Sequence, residues 1–291
     1  MIEIDLKRLL KKQVIGERIF LSLSFLALIV VLMSLIVLII DVIADGHSRL
    51  SLQFLTGFPS RKPEEAGILV PLVGSIYMIF LTGLFALPLG VGAAIYLEAY
   101  APKSWFSSLV ELNIANLAAV PSIIYGLLGL ELFVRIMGLG RSLMAGSLTM
   151  ALLLQPVIII VSREAIRSIP ISIWEASYAL GATKWQTIRH QILPLAMPGI
   201  MTGTILSFSR AIGETAPLIT MGALTYIAFL PDSIFSPFSV LPIQIFNWVS
   251  RPQKGFMVNA AAGIIVLLII LILLNSLAVW LRNKFQRRLN W

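Results

Sequence analysis

Six apolar runs of about twenty residues or more recur along this chain, at 20–40, 67–97, 109–133, 142–161, 195–218 and 256–281. At about 1.5 Å of rise per residue, each forms a helix of about 30 Å, the thickness of a bilayer's hydrocarbon core. A soluble protein of 291 residues has no interior that could hide them. Of this chain 58% is hydrophobic and 12% charged, where soluble domains carry roughly 25% charge. Lipid removes the difficulty, because an apolar face can point outward while a helix satisfies its own backbone. The fold class that follows is all-α integral membrane, with about six transmembrane helices. The first run is too long for the 7–15 or so apolar residues of a signal peptide, so it reads as an uncleaved span. The second is long enough to tilt, or to break at Pro71 or Pro88.

The net charge of +8 does not indicate nucleic acid, because the basic residues sit in short segments between apolar runs. One side would hold fourteen of them: Lys7, Arg8, Lys11, Lys12, Arg18, Lys103, Arg163, Arg167, Lys184, Arg189, Arg282, Lys284, Arg287 and Arg288. The other holds seven: Arg49, Arg61, Lys62, Arg135, Arg141, Arg251 and Lys254. Positive residues favour the cytoplasm, which places both termini inside and agrees with an even number of spans. Cysteine is absent, and His47 and His190 are the only histidines. Disulfides, thiol chemistry and cysteine- or histidine-rich metal sites are therefore excluded, and no cofactor is expected. No nucleophile–base constellation appears either, so the chain does not read as an enzyme.

Two loops are long enough to have structure of their own. The external stretch 225–251 carries Tyr226, Phe229, Phe235, Phe238, Phe246 and Trp248 with three prolines. It reads equally as an interfacial re-entrant segment, since aromatics gather at headgroup level, or as a docking surface for an external partner. The internal segment 168–194 reads as two short helices around a glycine. Ser172 with Glu175, and Thr183 with Gln186, have capping-box spacing. Gly181 can take the left-handed conformation that ends the first helix, and Pro194 suits the first turn of the next span. Ile173, Trp174 and Leu180 would give the pair an apolar face, for a partner protein or for lipid headgroups.

Glu175-Ala176-Ser177, then Gly181, then Leu193-Pro194 resembles the E-A-A-x3-G-x9-I-x-L-P loop of ABC importer permeases. Ser177 replaces the second alanine of that pattern and Gln191 its isoleucine. The resemblance implies a type I ABC importer permease-like fold. Its segment 168–194 would be a coupling loop against a cytoplasmic ATPase, with Trp174, Glu175, Ala176, Gly181 and Ala182 at the contact. It also implies a transport domain at 67–291, preceded at 1–66 by a tail, the first span and an external loop. The sequence holds no G-x-x-x-x-G-K-[ST] phosphate cradle, so ATP hydrolysis would belong to another polypeptide.

Further segments narrow the resemblance: Gly67-Ile-Leu-Val-Pro71, Val120-Pro-Ser-Ile-Ile-Tyr-Gly126, Arg210-Ala-Ile-Gly-Glu214-Thr-Ala-Pro217 and Leu241-Pro-Ile-Gln-Ile-Phe-Asn-Trp248. Together they are similar to phosphate importer permeases of the PstA type. That likeness implies an inorganic-phosphate path across a prokaryotic cytoplasmic membrane. The partners it implies are ATPase subunits, a second permease subunit completing a heterodimer, and an external phosphate-binding protein, with no nucleic acid. Permeases for molybdate, sulfate or phosphonate, or a secondary transporter, are the alternatives. Arg210 lies about 24 Å along a helix from Pro194, where a charge must face a bundle interior or a wet path. Its planar fork can bind phosphate oxygens in pairs, and Glu214, four residues on, can hold it. The same two side chains can equally form a self-neutralising structural pair. Ser207 and Ser209 are nearby neutral donors; Asn113, Asn116, Ser122 and Tyr125 are weaker candidates. Gly199 and Gly203 permit close helix approach, and Pro88 and Pro121 read as kinks.

Overall fold

The computed structural model describes residues 2–223 and 226–286, without the side chains of 2–13, 15, 285 and 286. The side chains of Lys7, Arg8, Lys11 and Lys12, and all of Thr225, Arg287 and Arg288, lie outside the described residues. In chain order the helices are α1 (Ile2–Gly46), α2 (Leu52–Thr56), α3 (Leu69–Ile95), α4 (Trp105–Ala118), α5 (Ser122–Gly129) and α6 (Leu143–Arg167). There follow α7 (Ile171–Ala179), α8 (Lys184–Thr187), α9 (Leu193–Ile212), α10 (Ala216–Met221), α11 (Leu241–Val249) and α12 (Lys254–Gln286). Among the described residues five helices are long and apolar enough to cross a membrane, or six if one bent pair counts as a span.

The bent pair is the first departure from the sequence reading. The run 109–133 is not one straight helix: α4 and α5 meet at 100° around Ala119–Pro121. Proline at 121 cannot donate to the turn before it and disfavours helical geometry at residue 120. The Tyr125 hydroxyl donates to the Leu117 carbonyl at 2.8 Å and fastens the corner. Pro88, by contrast, is carried inside α3, which continues unbroken through a π turn at Tyr96–Tyr100. Pro71 lies in the first turn of α3, where no backbone donor is missed.

The fifth span is displaced from its expected limits of 195–218. Helical backbone runs from Lys184 to Ile212 as one span, and Pro194 occupies the first turn of its α9 segment, as expected. Immediately before Pro194 the backbone widens into a π turn at Ile188–Ile192, where Leu193 N–H bonds the Ile188 carbonyl. That turn accommodates a residue with no N–H and a bulky ring. Gly213 ends the helix, and α10 is a separate short element.

α3, α6 and α9 form the centre, with Met78, Ala86, Met150, Leu154, Ile158, Ala211 and Phe238 buried between them. Gly199 and Gly203 set the α6–α9 distance: a methyl at Gly203 would come within 1.9 Å of the Val161 side chain. α1 packs along α12, and its apolar side chains from Phe20 to Ile40 are otherwise open. The stretch 226–251 divides. Phe238 is buried beneath α6, and Trp248 on α11 packs with Phe54 and Phe256 against α12, while Tyr226, Phe229, Phe235 and Phe246 remain exposed. Arg49 pins the same end, bonding Asn259 Oδ1 at 3.0 Å and the carbonyls of Pro63 and Glu64.

Candidate functional site

At one end of the bundle, α7 and α8 form the helix pair read from the sequence. α7 begins at Ile171 with Pro170 as its N-cap and no side-chain cap, so Ser172 lies inside the first turn and the Ser172–Glu175 capping box does not form. The Thr183–Gln186 box does: Gln186 Oε1 accepts from Thr183 N–H at 2.8 Å, and Thr183 Oγ1 from Gln186 N–H at 3.4 Å. Gly181 has φ +80°. Its N–H bonds the Tyr178 carbonyl and that of Ala182 bonds the Ser177 carbonyl, a Schellman closure.

The apolar face expected of Ile173, Trp174 and Leu180 is split. Ile173 and Trp174 turn toward the bundle against Ala165, Ile166, Ile169 and Ile192, because the end of α6 is itself apolar and has to be covered. Leu180 is 90% exposed, with Ile171 and Trp185 also exposed. Glu175, Ala176 and Gly181 face outward with Leu180, and Ala182 is half-buried. Ser172, Ala176, Leu180, Ala182 and Gln186 border an open groove of about 720 Å³. Of the two departures from the loop pattern, Ser177 is buried and its hydroxyl lies 2.8 Å from Thr187 Oγ1, joining the two helices. Gln191 is exposed and keeps its amide solvated.

Beneath the pair lies an ion cluster that sequence reasoning missed, having treated Arg163 and Arg167 as loop charges. Arg163 is 7% exposed. Its Nε is 2.7 Å from Glu98 Oε1, and its Nη2 is 2.6 Å from Glu111 Oε1, an ion pair whose angle falls short of a hydrogen bond. Arg167 Nε also reaches Glu98, at 2.8 Å. The cluster thus ties the end of α3, α4 and the last turns of α6. The sequence signal was the i, i+4 spacing of the two arginines on one helix face, with carboxylates at the ends of neighbouring runs.

Further along the bundle, two helix breaks converge. Ala118, Val120, Pro121 and Ser122 from the α4–α5 corner face Ser207, Arg210 and Glu214 across a groove of about 480 Å³ backed by Leu154 and Val157 of α6. Arg210 is in the last turn of α9, where a cation complements the helix dipole. Its side chain is 81% exposed and stands in the groove, with Nε 3.7 Å from Glu214 Oε1. Ser207 lines the groove, although its hydroxyl donates to the Gly203 carbonyl at 2.8 Å. Ser209 is buried away from the groove and bonds the Ile205 carbonyl, so it does not join the others. Of the weaker candidates, Ser122 lines the groove, Asn113 bonds the Leu109 carbonyl, Asn116 is exposed and Tyr125 is structural. Among the described residues no group of three or more His, Cys, Asp or Glu converges to hold a metal.

The family model described as "Binding-protein-dependent transport system inner membrane component" matches residues 86–291. The chain belongs to this family. Both the helix pair and the two converging breaks fall within the matched residues. Among relatives of these permeases, the chain is 34% identical over 263 residues to "Probable ABC transporter permease protein YqgI" of Bacillus subtilis (strain 168), covering 85% of this chain and 88% of the relative. It is 32% identical over 263 residues to "Phosphate transport system permease protein PstA" of Yersinia pestis, covering 90% and 88%. The fold matches the methionine ABC transporter MetNI in inward-facing form with a TM-score of 0.57 at 20% identity, over 75% of this chain and 94% of that one. The protein is thus a multi-pass permease with the type I ABC importer fold.

Gly181 offers a test of the helix pair in isolation. Gly181→Val forces a branched side chain into the left-handed region at a cost of about 1–2 kcal/mol. The amides of Gly181 and Ala182, which close the turn, should then exchange with solvent about tenfold faster. Unchanged exchange would show that the glycine's conformation does not hold the turn.

Proposed function

We propose that this chain is the permease subunit of an ATP-driven phosphate importer, and that Arg210, positioned by Glu214, contacts the anion as it crosses. The observation that carries this reading is the placement of Arg210: a cation at a helix end, facing a groove walled by a second helix break. Irregular backbone at membrane depth is tolerated where it lines a cavity, and broken helices are a recurrent way of building solute sites. The relatives named as phosphate permeases support the choice of solute. Ser207 and Ser122 are the neutral groups beside the path; Ser209 has no part in it.

In this reading residues 67–291 form the transport domain, and 1–66 add a peripheral span and an external loop. Two ATPase chains dock below the assembled permeases, one of them at this helix pair through Glu175, Ala176, Gly181, Ala182 and the exposed Leu180. Trp174 anchors α7 from behind. A second, non-identical permease covers the open side of the Arg210 groove, and an external binding protein delivers phosphate. The charge bias supports an inner-membrane protein with both termini cytoplasmic. ATP binding closes the ATPase pair and displaces the helix pair, which tilts the spans and switches the groove between the two sides. This subunit itself makes and breaks no covalent bond.

Solute selectivity tests the reading. With partner subunits in vesicles, ATP-dependent uptake of labelled phosphate should exceed that of sulfate, molybdate and methylphosphonate. Each charged hydrogen bond that a competitor fails to make costs about 1.5–3 kcal/mol, about ten- to a hundredfold. Equal uptake of another oxyanion would reassign the solute, and full uptake without ATP would make the protein a secondary transporter.

A further inference from the structure

Two cavities flank the segment that follows α3, and their linings differ in kind. One, of about 690 Å³, lies between this segment, the end of α6 and α7, and is bordered by Glu98, Lys103, Arg167, Trp174, Glu175 and Lys184. The other, of about 290 Å³, lies between the segment and α4 and is bordered by Tyr96, Leu97, Phe106, Val110 and Ile114. Only the π turn Tyr96–Tyr100 and the few residues after it separate them.

The charge balance of the larger cavity favours an anion. Glu98 is already engaged by Arg163 and Arg167. Among the described residues Lys103 and Lys184 have no carboxylate within ion-pair distance, and Lys184 Nζ sits 5.0 Å above the Tyr100 ring. Two lysines therefore face Glu175 alone. Tyr100, Trp174 and Tyr178 lie at this level of the bundle, at the ends of the spans, where aromatic residues mark a membrane interface. Basic pockets between helix ends hold lipid headgroups. The second cavity opens among apolar side chains, unsuited to a hydrated ion but suited to a hydrocarbon chain.

We propose that these two cavities form one site for an anionic phospholipid, its headgroup phosphate between Lys103 and Lys184 and an acyl chain against Phe106, Val110 and Ile114. A lipid so placed wedges behind α7 and shares its supports with the ion cluster at Glu98. The site is separate from the Arg210 groove and does not depend on what that groove transports.

The test is native mass spectrometry of the full chain purified in mild detergent, with added phosphatidylglycerol or phosphatidylcholine. Phosphatidylglycerol should be retained about tenfold more strongly, and Lys103→Ala and Lys184→Ala should each weaken its retention about fivefold. Val110→Trp, which fills the apolar cavity without changing charge, should weaken retention of the same lipid. Equal retention of the two lipids by the unaltered chain, a comparison that needs no variant, would overturn the proposal. So would retention unaffected by either lysine replacement. Displacement of phosphatidylglycerol by millimolar inorganic phosphate alone would make the larger cavity a site for a soluble anion and remove the lipid from it.

Discussion

Arg163→Ala should be the most damaging single replacement in this protein, lowering stability by about 3–5 kcal/mol, the usual cost of removing one partner of a buried ion pair. The reason lies in what remains. Glu98 is nearly enclosed and loses its closest cation, keeping only the half-exposed Arg167 at 2.8 Å. Glu111 loses its short contact with Arg163 and keeps only Arg167 at 3.9 Å. Three helices are then held at this end by Arg167 and apolar contacts alone, directly beneath the helix pair. Denaturant unfolding of the purified chain measures the effect. The double variant Glu98→Gln with Arg163→Gln leaves no unpaired buried charge, so it should recover much of the loss. Wild-type stability for Arg163→Ala, or strict additivity in the double variant, would show that the charges do not act as a unit.

The second large effect concerns transport. Arg210→Ala should reduce phosphate uptake about ten- to a hundredfold, the value of a hydrogen bond to a charged group, while the assembled transporter remains intact. Arg210→Lys keeps the charge but loses the planar fork, and should fall between the two. Glu214→Gln should leave the charge of Arg210 in place but release its position, weakening uptake less than Arg210→Ala does. Arg210 is exposed in a groove and packs against little, so its removal costs little stability, and lost uptake cannot be ascribed to misfolding. Wild-type uptake by both Arg210 variants, with assembly confirmed, would make the Arg210–Glu214 pair structural only.

The spans were legible because apolar length is a property of composition over some twenty residues, and the bilayer reads the same property. The corner at Pro121 was not. A hydropathy run through 109–133 is continuous, and a proline in it is compatible with a mild kink as well as a 100° turn. What decides between them is the Tyr125 hydroxyl reaching the Leu117 carbonyl, a contact made only after folding. The beginning of the fifth span was misplaced for a related reason. The Thr183–Gln186 capping box correctly marked a helix start and Pro194 the first turn of α9, but nothing local announces that a π turn joins the two into one span. Arg210 and Glu214 were found because a charge in an apolar stretch is conspicuous. Arg163 was not, because near the end of a span an arginine looks like any topology marker until its partners, 65 and 52 positions earlier, are brought beside it. Ser177 stood out in the sequence only as a replacement for an alanine, and its bond to Thr187 emerged only from the packing of the two short helices.

The helix from Lys184 to Ile212 is one 29-residue rod, about 43 Å from end to end. One tip belongs to the α7–α8 pair and the other carries Arg210. In the mechanism proposed above, a push at the first travels to the second past two weak places, the widened turn at Ile188–Ile192 beside the pushed tip and Pro198, which has no backbone donor to give the helix. Under that proposal, a replacement that stiffens or loosens either place would change the gearing between pair and groove without touching either end.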